Sequence, residues 1–237
     1  EPCMSIKSTG KRVEALIKER KIEEAADLLL EAWYESEDSL PQSLARFVDQ
    51  LSDISPTAAY IKAYEISETD RDGAERFFTL ASTSADPDVS SPACLSLAGI
   101  NIEKKREDLA LPYLLRAAEQ DYPPALHLLA LSHARGRMGL SKNVDEAVRI
   151  LKLLAEDDYP EAKLTLAQLI IAQETKAADT DPFQLLTEAA MAGVEGAMDM
   201  MMSLGAVFGD TSALSSDEDD LMLPYTVVPD GMKRPKL

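Results

Sequence analysis

The residues best suited to chemistry are two histidines, His127 and His133, and the nearby Arg135. Histidine is a common general base and metal ligand, and arginine binds anions. The histidines are six residues apart, and six residues turn an α-helix by about 600°, so the two rings point in different directions. A metal pair on a helix is spaced by three or four residues and needs further ligands, and no third ligand stands out. The sequence therefore predicts no metal site and no cofactor.

Other catalytic signals are equally weak. No serine or cysteine lies in a nucleophile motif, and no glycine-rich loop is suited to hold a phosphate. Residues 136–139, Gly-Arg-Met-Gly, are typical of a loop between paired helices, where Arg135 and Arg137 are placed to contact an anion. We therefore expect no catalytic residue. The alternative is an enzyme or small-molecule binder that uses His127 and Arg135.

The helices that carry these residues belong to a repeated pattern. Residues 118–125 and 155–162 are identical at six of eight positions and begin 37 residues apart, and a weaker copy follows at 190–197. Each of the first two copies holds an Asp-Tyr-Pro sequence, and proline ends one helix and opens the next. A period of this length is typical of stacked helical pairs.

Small residues recur at fixed places on both sides of each joint. Ala147 precedes Ala155 by eight residues, and Ala162 precedes the Leu166-Ala167 pair by one helical turn. Small residues let neighbouring helices approach closely while leucines fill the space between them. The pattern predicts an all-α fold of stacked antiparallel helix hairpins, with helices near residues 92–104, 108–120, 124–135, 144–157, 160–173, 182–192 and 195–208.

The pattern Ala-x3-Leu-Ala followed by Glu-Ala-x7-Ala-Glu-x-Asp-Tyr-Pro-x-Ala resembles the Sel-like repeats, relatives of the tetratricopeptide repeats. The resemblance is good over residues 93–205 and weaker over 11–92. It implies a right-handed α-solenoid, and a packed role for His133, because that slot usually holds a buried tyrosine. The chain departs from the family where a glycine, the tyrosine and a closing glycine are replaced by Ala130 and Ala167, His133 and Ile170, and Asp121 and Asp158.

Composition changes along the chain predict four segments. They are a flexible N-terminus (1–10), irregular tetratricopeptide-like hairpins (11–91), Sel-like repeats (92–208), and an acidic linker with a C-terminal tail (209–237). A long turn at residues 82–92 marks the seam within one continuous solenoid. In the tail, the apolar segment 221–229 is expected to pack on the last repeat as a cap, with a mobile partner-binding peptide as the alternative.

The net charge of −18, from 42 acidic and 24 basic side chains, restricts the partners. Nucleic acids and anionic membranes need basic patches, so both are disfavoured. No apolar run approaches the roughly 20 residues of a membrane-spanning helix. The charge instead favours a partner protein with a basic docking surface.

The compartment depends on the first residues. The Glu1-Pro2-Cys3 start would suit the residues after a secretory cleavage site, whereas Met4 as the native start would indicate the cytosol. In an oxidising compartment Cys3 and Cys94 are candidates for a disulfide, the alternative being two separate thiols. The expectation slightly favours a periplasmic or secreted location over a cytoplasmic one.

A binding groove is predicted on the first helix of each repeat. If these helices line the concave side, as in related solenoids, Leu131 and Leu164 form its apolar centre. His127, Gln168 and Asp199 then lie at its polar margins. The alternative is that these residues pack against the neighbouring unit's helix.

Four methionines lie within five positions of the last helix, Met198 and Met200–Met202. Met201 and Met202 fit the packing slots, which leaves Met198 or Met200 nearer the surface. Methionine adapts to varied partners, so Met200 joins the predicted binding residues.

These observations predict a non-catalytic protein–protein interaction module with a curved repeat surface. The resemblance implies a bacterial envelope adaptor or an immunity protein that neutralises a secreted antibacterial effector. Self-assembly through an uncapped end of the solenoid is a structural alternative.

Overall fold

The computed structural model describes residues 6–36, 39–172, 175 and 180–207. These residues form twelve α-helices and no strand, so the predicted all-α fold is confirmed. None of the described helices is long and apolar enough to span a membrane. The helices are α1 (Ile6–Lys18), α2 (Ile22–Glu35), α3 (Gln42–Leu51), α4 (Pro56–Ile66), α5 (Arg71–Ala81), α6 (Pro87–Glu103), α7 (Glu107–Ala118), α8 (Pro123–Arg135), α9 (Val144–Glu156), α10 (Pro160–Ile171), α11 (Pro182–Met191) and α12 (Ala197–Val207).

Short polar side chains begin several helices at the places where the sequence allows it. The Ser55 hydroxyl accepts a hydrogen bond from the Ala58 amide at 3.1 Å, directly before the proline that opens α4. The Asn143 side chain accepts from the Glu146 amide at 3.1 Å and caps α9. Such caps satisfy amides that have no partner within the helix. The predicted helix start at Ser55-Pro56 is confirmed.

The repeated octapeptide forms the joint between successive helices. Asp121 and Asp158 adopt positive φ angles of 55° and 59°, a left-handed conformation that stops the preceding helix. Each is followed by an extended tyrosine and then by the proline that opens α8 or α10. Gly193 occupies the same slot in the weaker third copy, with φ of 81°. Aspartate tolerates this conformation better than most side chains, so it can occupy the slot that Gly193 fills in the third copy.

The described residues divide into two compact units, one up to Gln120 and the other from Asp121. In the first unit, α4 packs on α5 and α6 on α7, while α2 and α4 lie side by side. Its core contains a cluster of aromatic rings. The Tyr60 and Tyr64 rings lie 4.9 Å apart, and Tyr64 meets Phe78 edge-to-face at 5.1 Å. Edge-to-face packing of this kind adds stability beyond the area that it buries.

In the second unit each helix from α8 to α12 packs on the next one. Consecutive helices therefore run antiparallel, and α8, α10 and α12 are the first helices of successive repeats. The core follows the predicted pattern of small and large residues: Ala147, Ala162 and Ala167 are fully buried beside Leu151 and Leu166.

Two expectations about the first unit are wrong in detail. α1 begins at Ile6, inside the stretch predicted to be flexible. The turn predicted over residues 82–92 ends early, because α6 begins at Pro87 with Asp86 as its cap. Pro92 lies inside that helix and has no amide hydrogen to donate to the carbonyl of Asp88, which is solvent-exposed. The first of two prolines opens the helix, and the second is tolerated within it.

A matched pair of leucines on α9 tests this packing. Leu151 is fully buried and Leu153 is half exposed. We expect Leu151→Ala to lower the free energy of unfolding by about 2–5 kcal/mol, because it removes buried methyl groups and leaves a cavity. Leu153→Ala should change it by less than about 1 kcal/mol. Urea unfolding followed by circular dichroism measures both, and equal losses would contradict the described burial.

Candidate protein-binding surfaces

His127 does not lie at the margin of an open groove. Its side chain is only 7% exposed, and its Nε2 lies 2.8 Å from the Thr165 hydroxyl of α10. Its ring also meets Tyr159 edge-on, with 5.7 Å between centroids. The prediction of a surface role for His127 is therefore wrong, because this side chain joins α8 to α10.

The hydrogen bonds around Thr165 determine which ring nitrogen of His127 carries the hydrogen. Thr165 donates its hydroxyl hydrogen to the Glu161 carbonyl at 3.0 Å, so His127 must donate through Nε2. Burial lowers the pKa of His127 to about 4, which keeps the ring neutral at pH 7. Nε2 therefore has no lone pair for proton transfer. This arrangement supports packing and gives no support to the alternative with catalysis at His127 and Arg135.

The other predicted groove residues do not form one exposed surface. Leu131 is buried like His127, so the expected apolar centre is wrong there. Leu164 and Gln168 are half-buried, and the buried Oε1 of Gln168 has no hydrogen-bond partner among the described residues. Asp199 is exposed and Met200 half-buried. Of the six predicted partner-binding residues, only His127 and Leu131 are buried, and Asp199 alone is exposed.

The remaining candidate residues are Cys94, Cys3 and His133. Cys94 is fully buried in α6, and burial raises the pKa of its thiol. Cys3 lies outside the described residues, so the disulfide stays a prediction. His133 is half-buried near the end of α8, and its carbonyl accepts the Asn143 amide at 2.7 Å. No group of three or more His, Cys, Asp or Glu side chains is placed to hold a metal within the described ranges.

The methionines of α12 follow the prediction only in part. Met201 faces α11, where its sulfur lies 3.7 Å from the Thr187 hydroxyl. Met198 is exposed, as expected. Met202 was expected to pack inward and is exposed instead. Adjacent helical residues are about 100° apart, so a short helix that packs chiefly on one neighbour cannot bury both.

An acidic surface in the first unit is the feature that sequence reasoning missed. Glu23, Asp27 and Glu31 follow one another at intervals of four on α2, and Asp86 and Asp88 lie at the start of α6. We call these five residues the acidic strip. Burial, together with Glu23, Asp86 and Glu31, raises the pKa of Asp27 above its ordinary value. Glu23, Asp86 and Glu31 therefore lie close enough to Asp27 to repel its ionised form.

None of the five side chains of the acidic strip forms an ion pair with a described residue, and Glu23 accepts only the Ser55 hydroxyl, at 3.0 Å. Some carboxylates elsewhere in the unit are neutralised by ion pairs between elements. Glu75 pairs with Lys104 at 2.7 Å and with Arg106 at 2.6 Å. The charge is thus segregated: one set of carboxylates links α5 to residues at and beyond the end of α6, and the other set faces solvent.

Tyr34 lies beside the acidic strip. It is half-buried, and burial raises the pKa of its phenol, with Asp88 and Asp86 adding to the effect. An aromatic ring next to uncompensated carboxylates suits the side chains of lysine and arginine, because both the ring face and the carboxylates attract cations. The spacing of Glu23, Asp27 and Glu31 is readable in the sequence. The sequence does not show that the start of α6, with Asp86 and Asp88, lies near these residues.

Comparison with known proteins places this fold in a class. No family model matches the sequence, and no curated protein matches it. Among solved structures, the chain is similar to a Sel1 repeat protein from Oxalobacter formigenes, with a TM-score of 0.56 and 18% sequence identity. The match covers 77% of this chain and 58% of that longer chain. The chain therefore has the fold of a Sel1-repeat α-solenoid.

The buried histidine makes stability depend on pH. Its folded-state pKa of about 4 lies below the ordinary value of about 6.5. The unfolded chain therefore binds the proton more readily, and stability falls as the pH drops from 6.5 towards 4. We expect wild-type protein to lose about 3 kcal/mol more than His127→Gln between pH 7 and pH 4.

Urea unfolding at the two pH values measures that difference. The glutamine keeps an amide donor for Thr165 but does not titrate. Carboxylates contribute equally to both proteins, so parallel losses of stability would contradict the assignment.

Proposed function

We propose that this chain is a non-catalytic interaction module that binds a partner protein through the acidic strip. The observation that carries the proposal is the contrast between the strip, whose carboxylates have no cation among the described residues, and the ion-paired carboxylates around Glu75. We expect the partner's docking surface to be basic, because cationic side chains relieve the repulsion within the strip.

The physical argument rests on where the negative charge lies. A net charge of −18 attracts basic proteins at long range, and an uncompensated strip concentrates that field at one place. The raised pKa of Asp27 shows that its ionised form is disfavoured there. A lysine or arginine from the partner would stabilise that form. Binding should therefore be fast and weaken steeply with salt.

Two biological settings fit such a module. One is an adaptor in the periplasm, and the other is an immunity protein that neutralises a secreted antibacterial effector. The strong negative charge favours the immunity protein where the effector is basic.

The test of the proposed function is co-purification from the native host at physiological salt, followed by mass spectrometry and an activity measurement on the recovered partner. Failure to recover a partner that binds the purified chain would contradict the proposal.

Neutralising the strip should weaken that binding. We expect Glu23→Gln, Asp27→Asn and Glu31→Gln together to raise the Kd for the recovered partner at least about tenfold at low salt. The slope of log Kd against log salt should fall at the same time. Isothermal titration calorimetry at three salt concentrations measures both quantities.

The matched control removes the same number of charges elsewhere. Glu119→Gln, Glu156→Gln and Asp157→Asn lie at exposed positions outside the strip and should change the Kd by less than about threefold. Equal effects of the two triple variants would show that net charge alone governs binding, and would overturn the role of the strip.

A further inference from the structure

The last described hairpin, α11–α12, presents an unusual apolar surface. Met191 is 84% exposed, Met198 49% and Met202 59%. We call these three exposed side chains of the hairpin the methionine face: Met198 and Met202 share one side of α12, and Met191 is the last residue of α11. Large apolar side chains exposed in the same short hairpin are typical of interaction sites. The methionine face belongs to the second unit and shares no residue with the acidic strip.

Helix geometry explains why these side chains stay outside the core. Ala197 is fully buried and Met201 contacts α11, so this side of α12 faces its neighbour. Met198 and Met202 lie one turn apart on the adjoining side of the helix. Among the described helices α12 packs chiefly on α11. The pair therefore forms a short apolar stripe.

The described residues of the hairpin itself carry charge of one sign. Residues 180–207 contain four carboxylates, those of Asp181, Glu188, Glu195 and Asp199, and no lysine or arginine. Glu188 is neutralised by Lys163 of α10 at 2.8 Å. Glu195 and Asp199 are exposed and form no ion pair with a described residue. Asp199 directly follows Met198 on the helix, so an uncompensated carboxylate borders the stripe.

We propose that the methionine face binds an amphipathic helix of a partner protein, apolar on one side and rich in lysine or arginine at its edges. A stripe at helical spacing fits the apolar positions of a second helix. Flexible, polarisable methionine side chains adapt to varied leucine and phenylalanine contacts. The carboxylates at the border select a basic helix and repel an acidic one.

The test uses full-length protein labelled with carbon-13 at its methionine methyl groups. The probe is a synthetic peptide of about 14 residues with leucine and lysine at amphipathic helical spacing. We expect the methyl signals of Met191, Met198 and Met202 to shift on titration. The signal of Met138, which is buried elsewhere in the second unit, should stay in place.

Substitution on the surface keeps the proposal testable without disturbing the fold. The double variant Met198→Gln/Met202→Gln should raise the Kd for the peptide about tenfold, because it removes apolar contact area. Both side chains lie outside the core, so the fold should be unaffected. Leu153→Gln, at another exposed apolar position of the second unit, should leave the Kd unchanged. A control peptide with glutamate in place of lysine should not bind.

Four results would overturn the proposal. They are an absence of shifts at the methionine face, equal binding of the glutamate peptide, nuclear Overhauser contacts between Met198 or Met202 and Met222 in the free chain, and methyl shifts that depend on protein concentration. The third would assign the face to the chain's own C-terminal segment, and the fourth to a second copy. Loss of binding by the acidic-strip variant alone would bear on the proposed function and not on this surface.

Discussion

The close approach of neighbouring helices at alanine is the constraint on which the structure depends. Ala130, Ala147, Ala162 and Ala167 are all fully buried, as are alanines at related positions of the first unit. A larger side chain at any of these positions would push two helices apart, because well-packed interiors have little room for added methylene groups. The fold therefore requires small residues at a fixed period, and that period is what the sequence displays.

The same close packing determines which polar side chains are available to a partner. Two contacts join one first helix to the next: Tyr64 to Ser96 at 3.4 Å and His127 to Thr165 at 2.8 Å. In each case polar groups that could have lined a groove satisfy one another between helices. Buried polar groups need such partners, so these pairs set the register of adjacent repeats. Recognition is left to residues on the outer sides of the helices.

Charge segregation then distinguishes structural from recognition surfaces. Where two elements meet, carboxylates face cations, as around Lys104, which pairs with Asp72 at 2.5 Å and Glu75 at 2.7 Å. Exposed pairs of this kind contribute little stability individually, but they leave no net field. The carboxylates of the acidic strip and those beside the methionine face lack such partners among the described residues. For this reason we propose basic partners for both surfaces, one bound through charge alone and the other with apolar contact as well.

By itself the sequence determined the helical hairpins, the joints at Asp121 and Asp158, and the small residues between helices. These features depend on local conformation and on a period of 35 to 37 residues. Both can be read from the order of residues along the chain. Only the tertiary structure decided that His127 joins two helices, that Met202 faces solvent and that Asp86 lies near Asp27. The reason is physical: exposure and mutual repulsion depend on how closely helices approach, and distances between residues remote in sequence arise only when the helices pack.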